Sequence, residues 1–279
     1  MTGTDLFWIF AILALLQPVI RQQMLEYARR DYIKRIERKR GSRVISLVHR
    51  QEAWNFLGFP VRRYLDMEDS ESILKAIRLT APDMPVDLIL HTPGGVGLAA
   101  DQIAHALLRH RAQVTVFIPH YAMSGGALLA FVADEIVMTK NAIVGAVDPQ
   151  IGGYPAASIL KTVELKPVAR VEDQTLVWAD NARKAIEQTR ATVLDVLKSH
   201  MDEEKAANLA ATLTSGRWTL DYPISVEELT EMGMQVNTDM PAEILVFMNL
   251  FPQPSFGRPS VDFIPAPYRL PEAPRKGAG

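Results

Sequence analysis

Two short, largely apolar runs mark the first half of the chain. Val86-Asp87-Leu88-Ile89-Leu90 and Val114-Thr115-Val116-Phe117-Ile118 are rich in β-branched residues and predict buried parallel strands. Between them Leu98, Ile103, Ala106 and Leu107 recur at helical spacing, which makes a βαβ unit whose strand ends share one sheet edge. Each strand closes on a glycine-rich turn: His91-Thr92-Pro93-Gly94-Gly95 after the first, Ala122-Met123-Ser124-Gly125-Gly126 after the second. Ligands bind at that edge in open α/β sheets. A helix-compatible run follows from Ala127 to Ala133. From about Val171 to Leu213, apolar positions such as Ala179, Ala182, Ile186, Val193 and Leu197 predict two long helices with a break near His200-Met201. Their alanine-rich faces suit packing on the sheet or on a neighbouring protomer, so a homo-oligomer is expected. Trp218, Tyr222 and Pro223 form an apolar turn ahead of a helix over residues 226–232.

The ends differ from this core. Leu6 to Leu16 runs on through Gln17-Pro18 to Val19-Ile20 without a charge, so residues 1–20 read as a membrane anchor, either a short membrane helix or an interfacial one. Residues 21–42 read as a basic juxtamembrane helix, with Arg21, Arg29, Arg30, Lys34, Arg35, Arg38, Lys39 and Arg40 suited to anionic lipid headgroups. The positive-inside rule then makes the main domain, residues 43–250, cytoplasmic. Residues 251–279 form a proline-rich tail with few aliphatics, which is not expected to fold alone.

Composition narrows the chemistry. A 48% apolar content supports a substantial core, and the absence of cysteine removes disulfides, thiolate catalysis and cysteine-based zinc sites. No His-Glu-x-x-His or Walker-type loop occurs, so no metal and no cofactor is expected. A net charge of −2 and the lack of a recognisable module argue against nucleic-acid binding. Ser124 stands where a helix N-terminus favours a developing anion, and the Gly94, Gly95 and Gly125 amides are candidate oxyanion donors. The alternative is that Ser124 only caps that helix. A Gly-x-Ser-x-Gly hydrolase is disfavoured because position 122 is alanine. His200 closes a long helix, which leaves His49, His91 and His120 as histidine candidates for the base.

The Thr-Pro-Gly-Gly strand end, the Ser-Gly-Gly helix start and Asp134-Glu135-Ile136-Val137-Met138 resemble the ClpP, signal-peptide-peptidase-A and crotonase superfamily. His49-Arg50-Gln51-Glu52, Val147-Asp148-Pro149-Gln150, Trp218-Thr219 and Asp221-Tyr222-Pro223-Ile224 extend the similarity to the serine dehydrogenase proteinase family, over roughly residues 43 to 237. The resemblance implies an α/β fold, a ClpP/crotonase-like spiral of ββα units, here with an N-terminal membrane helix. It implies a membrane-anchored serine endopeptidase that hydrolyses peptide bonds of a peptide or protein substrate through an acyl-enzyme on Ser124.

In the membrane-linked branch the base is a lysine beyond the equivalent of Gly145-Ala146-Val147-Asp148. This falls on Lys166, with Lys161 close by and Lys184 as a further candidate. Asp148 either orients a base or starts a turn. Tyr154-Pro155-Ala156-Ala157-Ser158 is expected at the substrate cleft, where an extended peptide would add a strand. Ala127, Ala146 and Leu220 stand where the family has threonine, proline and histidine. Those departures leave open a catalytically impaired scaffold of the same fold, and the shared oxyanion amides leave open a crotonase-like acyl-CoA enzyme.

Overall fold

The two apolar runs lie at the centre of a parallel sheet. In chain order the first half holds α1 (Gly3–Arg40), β1 (Arg43–Val48), the antiparallel pair β2 (Trp54–Phe56) and β3 (Phe59–Val61), α2 (Met67–Arg78), β4 (Val86–His91) and α3 (Gly97–Leu108). Then come β5 (Val114–Ile118), β6 (Tyr121–Ala122), α4 (Gly125–Phe131), β7 (Glu135–Met138), β8 (Ile143–Val144), β9 (Gln150–Ile151) and β10 (Tyr154–Pro155). The rest is helical: α5 (Ala156–Glu164), α6 (Asp173–Leu197), α7 (Glu203–Leu213), α8 (Val226–Glu231), the short β11 (Val236–Asn237) and α9 (Ala242–Met248). The structure is a computed structural model. It describes residues 3–50, 54–56, 59–61 and 64–251, the side chains of residues 3–7, 9, 11–15, 18, 54–56 and 59–61 excepted.

β1, β4, β5, β7 and β11 pair in that spatial order, every pair parallel. The central β4 and β5 are buried along their whole lengths, as continuous apolar runs require when both sheet faces are covered. A second, shorter row crosses the C-terminal edge. β6 pairs with β8 in parallel, Thr92 bridges to Ala122, and Val144 bridges to Ile224. Residues just beyond β4, β5 and β7 are thereby drawn together.

Strand parity sorts the two faces. Leu88, Leu90, Val116, Ile118, Ile136 and Met138 enter the large core with Ile73, Ile103, Leu129, Val193 and Leu209 from the helices. Ile89, Phe117 and Val137 point the other way, onto Ile36 of α1 and Ile244 and Phe247 of α9. The expected break between α6 and α7 is present, and His200 Nε2 lies 3.1 Å from the Val132 carbonyl oxygen, tying the end of α6 to the end of α4. α5 was not anticipated from the hydrophobic pattern.

The predicted anchor and the basic helix form one continuous helix, and its C-terminal end belongs to the folded domain. Ile36 is buried there, Arg40 Nε donates to Asp87 Oδ2 at 2.5 Å, and Ser42 Oγ donates to the same oxygen at 2.5 Å. Asp87 is itself buried, so a guanidinium and a hydroxyl satisfy a charge that would otherwise be costly there. Among the described residues no helix is long and apolar enough to cross a membrane. Most side chains of the expected anchor lie outside the described residues. Those described, Trp8, Phe10, Leu16, Val19 and Ile20, are exposed. Residues 252–279 of the expected proline-rich tail also lie outside them.

Candidate active site

The two glycine turns interlock because their glycines leave no room for side chains. A Cβ on Gly95 would stand 2.1 Å from the Leu65 carbonyl oxygen, and one on Gly126 would stand 2.5 Å from Thr92 Cγ2. Gly94 adopts φ +94°, and a Cβ there would lie 2.8 Å from both Met123 O and Ser124 Cβ. These contacts set the Thr92–Gly95 loop directly against the start of α4.

Ser124 sits at that start with φ 52° and ψ −118°, and it is a non-glycine residue at positive φ. Such a backbone costs on the order of 1–3 kcal/mol and persists where the surroundings over-determine it, often at catalytic turns. Its side chain makes no capping hydrogen bond, so the capping alternative fails. The Gly94 amide donates to Thr92 Oγ1 at 3.1 Å and is therefore engaged. Among the described residues the Gly95 and Gly125 amides have no protein acceptor. Of the three candidate oxyanion donors, these two remain available beside the serine.

The loop is braced from behind by a group that the motif reading treated only as a candidate base. His49 Nδ1 lies 2.9 Å from Thr92 Oγ1, and His49 Nε2 lies 3.1 Å from Asp69 Oδ2. Both ring nitrogens are committed and the ring is buried. Burial alone would raise the Asp69 carboxyl, but hydrogen bonds from His49 and the Asp66 amide hold it below the ordinary range. Asp69 also closes the capping box of α2 with Asp66, a spacing legible in the sequence.

His91 ends β4 on the same face as Ile89, away from the large core, with its ring 4.2 Å from that of Tyr121 and 5.4 Å from that of His120. Burial, with the charges of His120, Arg50 and His49, pushes its imidazole down to about 3. Neither ring nitrogen has a hydrogen-bond partner among the described residues. His120 is lowered too, by burial and then Arg50. Neither lines the cleft into which Ser124 opens.

Ser124 opens into a cleft of about 700 Å³ between α3, α6 and the 147–150 segment. Its lining includes Gly95, Gly125, Asp101, Asp148, Gln150 and Leu220, with Gln188, Thr189 and Thr192 from α6. Among the described residues no lysine and no histidine lines it. Lys166 lies beyond α5, exposed, ahead of a short 3₁₀ turn at Val168–Arg170. Lys161 faces a separate recess with Arg190 and Thr214, and Lys184 pairs with Asp180 at 2.5 Å. The structure thus brings Ser124, Gly95 and Gly125 together and leaves the three lysines elsewhere.

Asp148 is buried at the cleft, and among the described residues neither carboxylate oxygen accepts a hydrogen bond, so it does not act as a turn-starting acceptor. Burial pushes its carboxyl up from the ordinary value. Leu220, noted in sequence as a departure, forms part of the same wall. The α6 wall was not anticipated: Thr192 Oγ1 donates to Asp101 Oδ1 at 3.1 Å, joining α6 to α3 across the cleft. Its residues carry no motif, and only packing reveals them. Among the described residues no group of three His, Asp or Glu side chains is arranged to hold a metal ion.

A strained serine at a strand-to-helix turn, facing two unengaged amides at the C-terminal edge of a parallel sheet, has the geometry that a serine nucleophile on an α/β scaffold would need. Residues 1–278 match the family of ClpP-like SDH-type serine proteinases, and the chain belongs to that family. It is 50% identical over 274 residues to an uncharacterized protein of Methanocaldococcus jannaschii, covering 98% of this chain and 94% of the relative. A second uncharacterized protein of the same organism is 48% identical over 264 residues, covering 95% and 92%. A weaker similarity, 24% over 198 residues, covers 67% of this chain and 27% of a Na(+)/H(+) antiporter NhaA of Brucella abortus.

Proposed function

We propose that this chain is a membrane-associated serine peptidase that hydrolyses peptide bonds through an acyl-enzyme on Ser124. The observation that carries the reading is the backbone of Ser124, held at φ 52° beside the free Gly95 and Gly125 amides. Attack by its hydroxyl on a carbonyl would place the oxyanion between those two amides, and water would then release the acyl group. The second row formed by Thr92, β6 and β8 supports the ββα spiral reading of the fold. The β9–β10 hairpin, whose Gln150 lines the cleft, is the edge along which an extended peptide would lie.

Membrane association rests on α1. Its exposed Trp8, Phe10, Leu16, Val19 and Ile20 precede a basic segment, a pattern suited to the bilayer interface with the domain on the cytoplasmic side. Self-association into a homo-oligomer fits the family and the helical faces. Fluorophosphonate labelling beside Ser124→Ala, with mass spectrometry and casein hydrolysis, tests the peptidase. Labelling confined to Ser124, with matching loss of hydrolysis in the variant, supports it.

A second reading, a scaffold with impaired catalysis, is favoured by one observation: no imidazole or ammonium lines the cleft among the described residues, and Leu220 forms its wall. A folded protein with an unreactive Ser124 would select that reading.

A further inference from the structure

The nucleophile's cleft contains an acid that no neighbour answers. Asp148 is 4% exposed, both its oxygens are shut off from solvent, and neither has a hydrogen-bond donor among the described residues. Native proteins rarely leave a buried carboxylate in that condition, and active sites are where they do. The same cleft is lined by the apolar Val147, Leu128 and Leu220. The other ionisable groups of the cleft are spoken for or open to water. Asp101 accepts from Thr192 and lies 3.6 Å from His105, while the Tyr64 ring is half exposed.

We propose that Asp148 is the general base and acid of the Ser124 reaction. This rests on the serine-peptidase reading and adds the group that reading lacks. As the bond from Ser124 Oγ to the substrate carbonyl carbon forms, the Oγ–H bond breaks and the proton passes to the Asp148 carboxylate, directly or through one water. The carboxylic acid so formed donates that proton to the leaving nitrogen as the carbon–nitrogen bond breaks. In the second half a water loses a proton to Asp148 while attacking the ester, and Asp148 returns it to Ser124 Oγ as the acid product leaves.

Serine and carboxylate are not in hydrogen-bond contact in the unliganded cleft, and catalytic contacts commonly tighten only when substrate is bound. Burial has the effect a carboxylate base needs, since it raises proton affinity toward the working pH.

The test measures the rate of fluorophosphonate labelling at Ser124 from pH 4 to 9 in the full chain and in Asp148→Asn. The parent rate should fall toward acid through a single ionisation above the ordinary carboxylate range. Asp148→Asn should label on the order of 100-fold more slowly and lose that acid limb. Circular dichroism checks that both are folded. Equal rates with the same acid limb in Asp148→Asn overturn the assignment and leave the peptidase standing. No labelling of Ser124 in the folded parent overturns the peptidase reading and this assignment with it.

Discussion

The Nδ1 atom of His49 lies 2.9 Å from the hydroxyl of Thr92, and Thr92 in turn accepts the amide of Gly94. Asp69 holds the far side of the same ring, so a chain of hydrogen bonds runs from α2 to the loop bearing the free Gly95 amide. His49→Ala should therefore slow labelling of Ser124 about tenfold by loosening that donor, a positioning loss smaller than the roughly 100-fold or more that follows when an oxyanion contact is removed outright. The acid behaviour should change too. Asp69 is held below its ordinary value, so it contributes stability that is present above its unfolded value near 3.8 and lost as pH falls through the lower folded value. Thermal melts between pH 2 and 6 should show a shallower acid decline in His49→Ala.

Gly95→Ala is expected to lower reactivity on the order of 100-fold or more, because a Cβ 2.1 Å from the Leu65 carbonyl oxygen forces the loop and its amide away from Ser124. Labelling of the folded fraction, with a thermal melt alongside, separates this displacement from simple unfolding.

Ser124→Gly should abolish labelling yet raise stability by about 1 kcal/mol, since glycine occupies φ 52° without the strain a side chain incurs. Ser124→Ala keeps the Cβ and should show no such gain. Denaturant midpoints of the two variants at one pH decide the matter.

Asp148→Asn should be more stable than the parent at pH 7, on the order of 1–3 kcal/mol, because it removes a buried charge without a donor. A carboxyl raised by burial binds its proton more tightly when folded. The parent's stability is therefore full below the unfolded value near 3.8 and is lost as pH rises through the folded value. The advantage of the variant should shrink toward pH 4, which denaturation curves at pH 4 and 7 would reveal.

His91 works in the opposite sense. Its imidazole is pushed down to about 3, so the unfolded chain takes up a proton below about 6.5 while the folded protein stays neutral. Stability from this residue is lost as pH falls from 6.5 toward 3. His91→Phe, which keeps a ring against Tyr121, should flatten that part of the melting-temperature profile.

The parallel sheet, the interlocking turns and Ser124 were legible in the sequence because each rests on local rules. Apolar runs form buried strands, and glycine pairs mark places where backbones meet. Strand parity, which sends His91 with Ile89 to the face opposite Leu88 and Leu90, was legible as well, although His91 was kept as a candidate base. The position of a base was not. Lys166 follows the apolar end of α5, and nothing in Leu165-Lys166-Pro167 distinguishes a buried lysine from the exposed one found.

Sequence alone thus determined which residues form the two central strands, where the chain turns after them and which hydroxyl stands at the sheet edge, because those choices depend on neighbours a few residues away. Tertiary structure decided which groups share the cleft with that hydroxyl. It placed α6 as a wall, committed both nitrogens of His49, and buried Asp148 without a donor while leaving the lysines outside. Those outcomes depend on packing between segments far apart in the chain, and desolvation is a property of the assembled surroundings that no residue carries by itself.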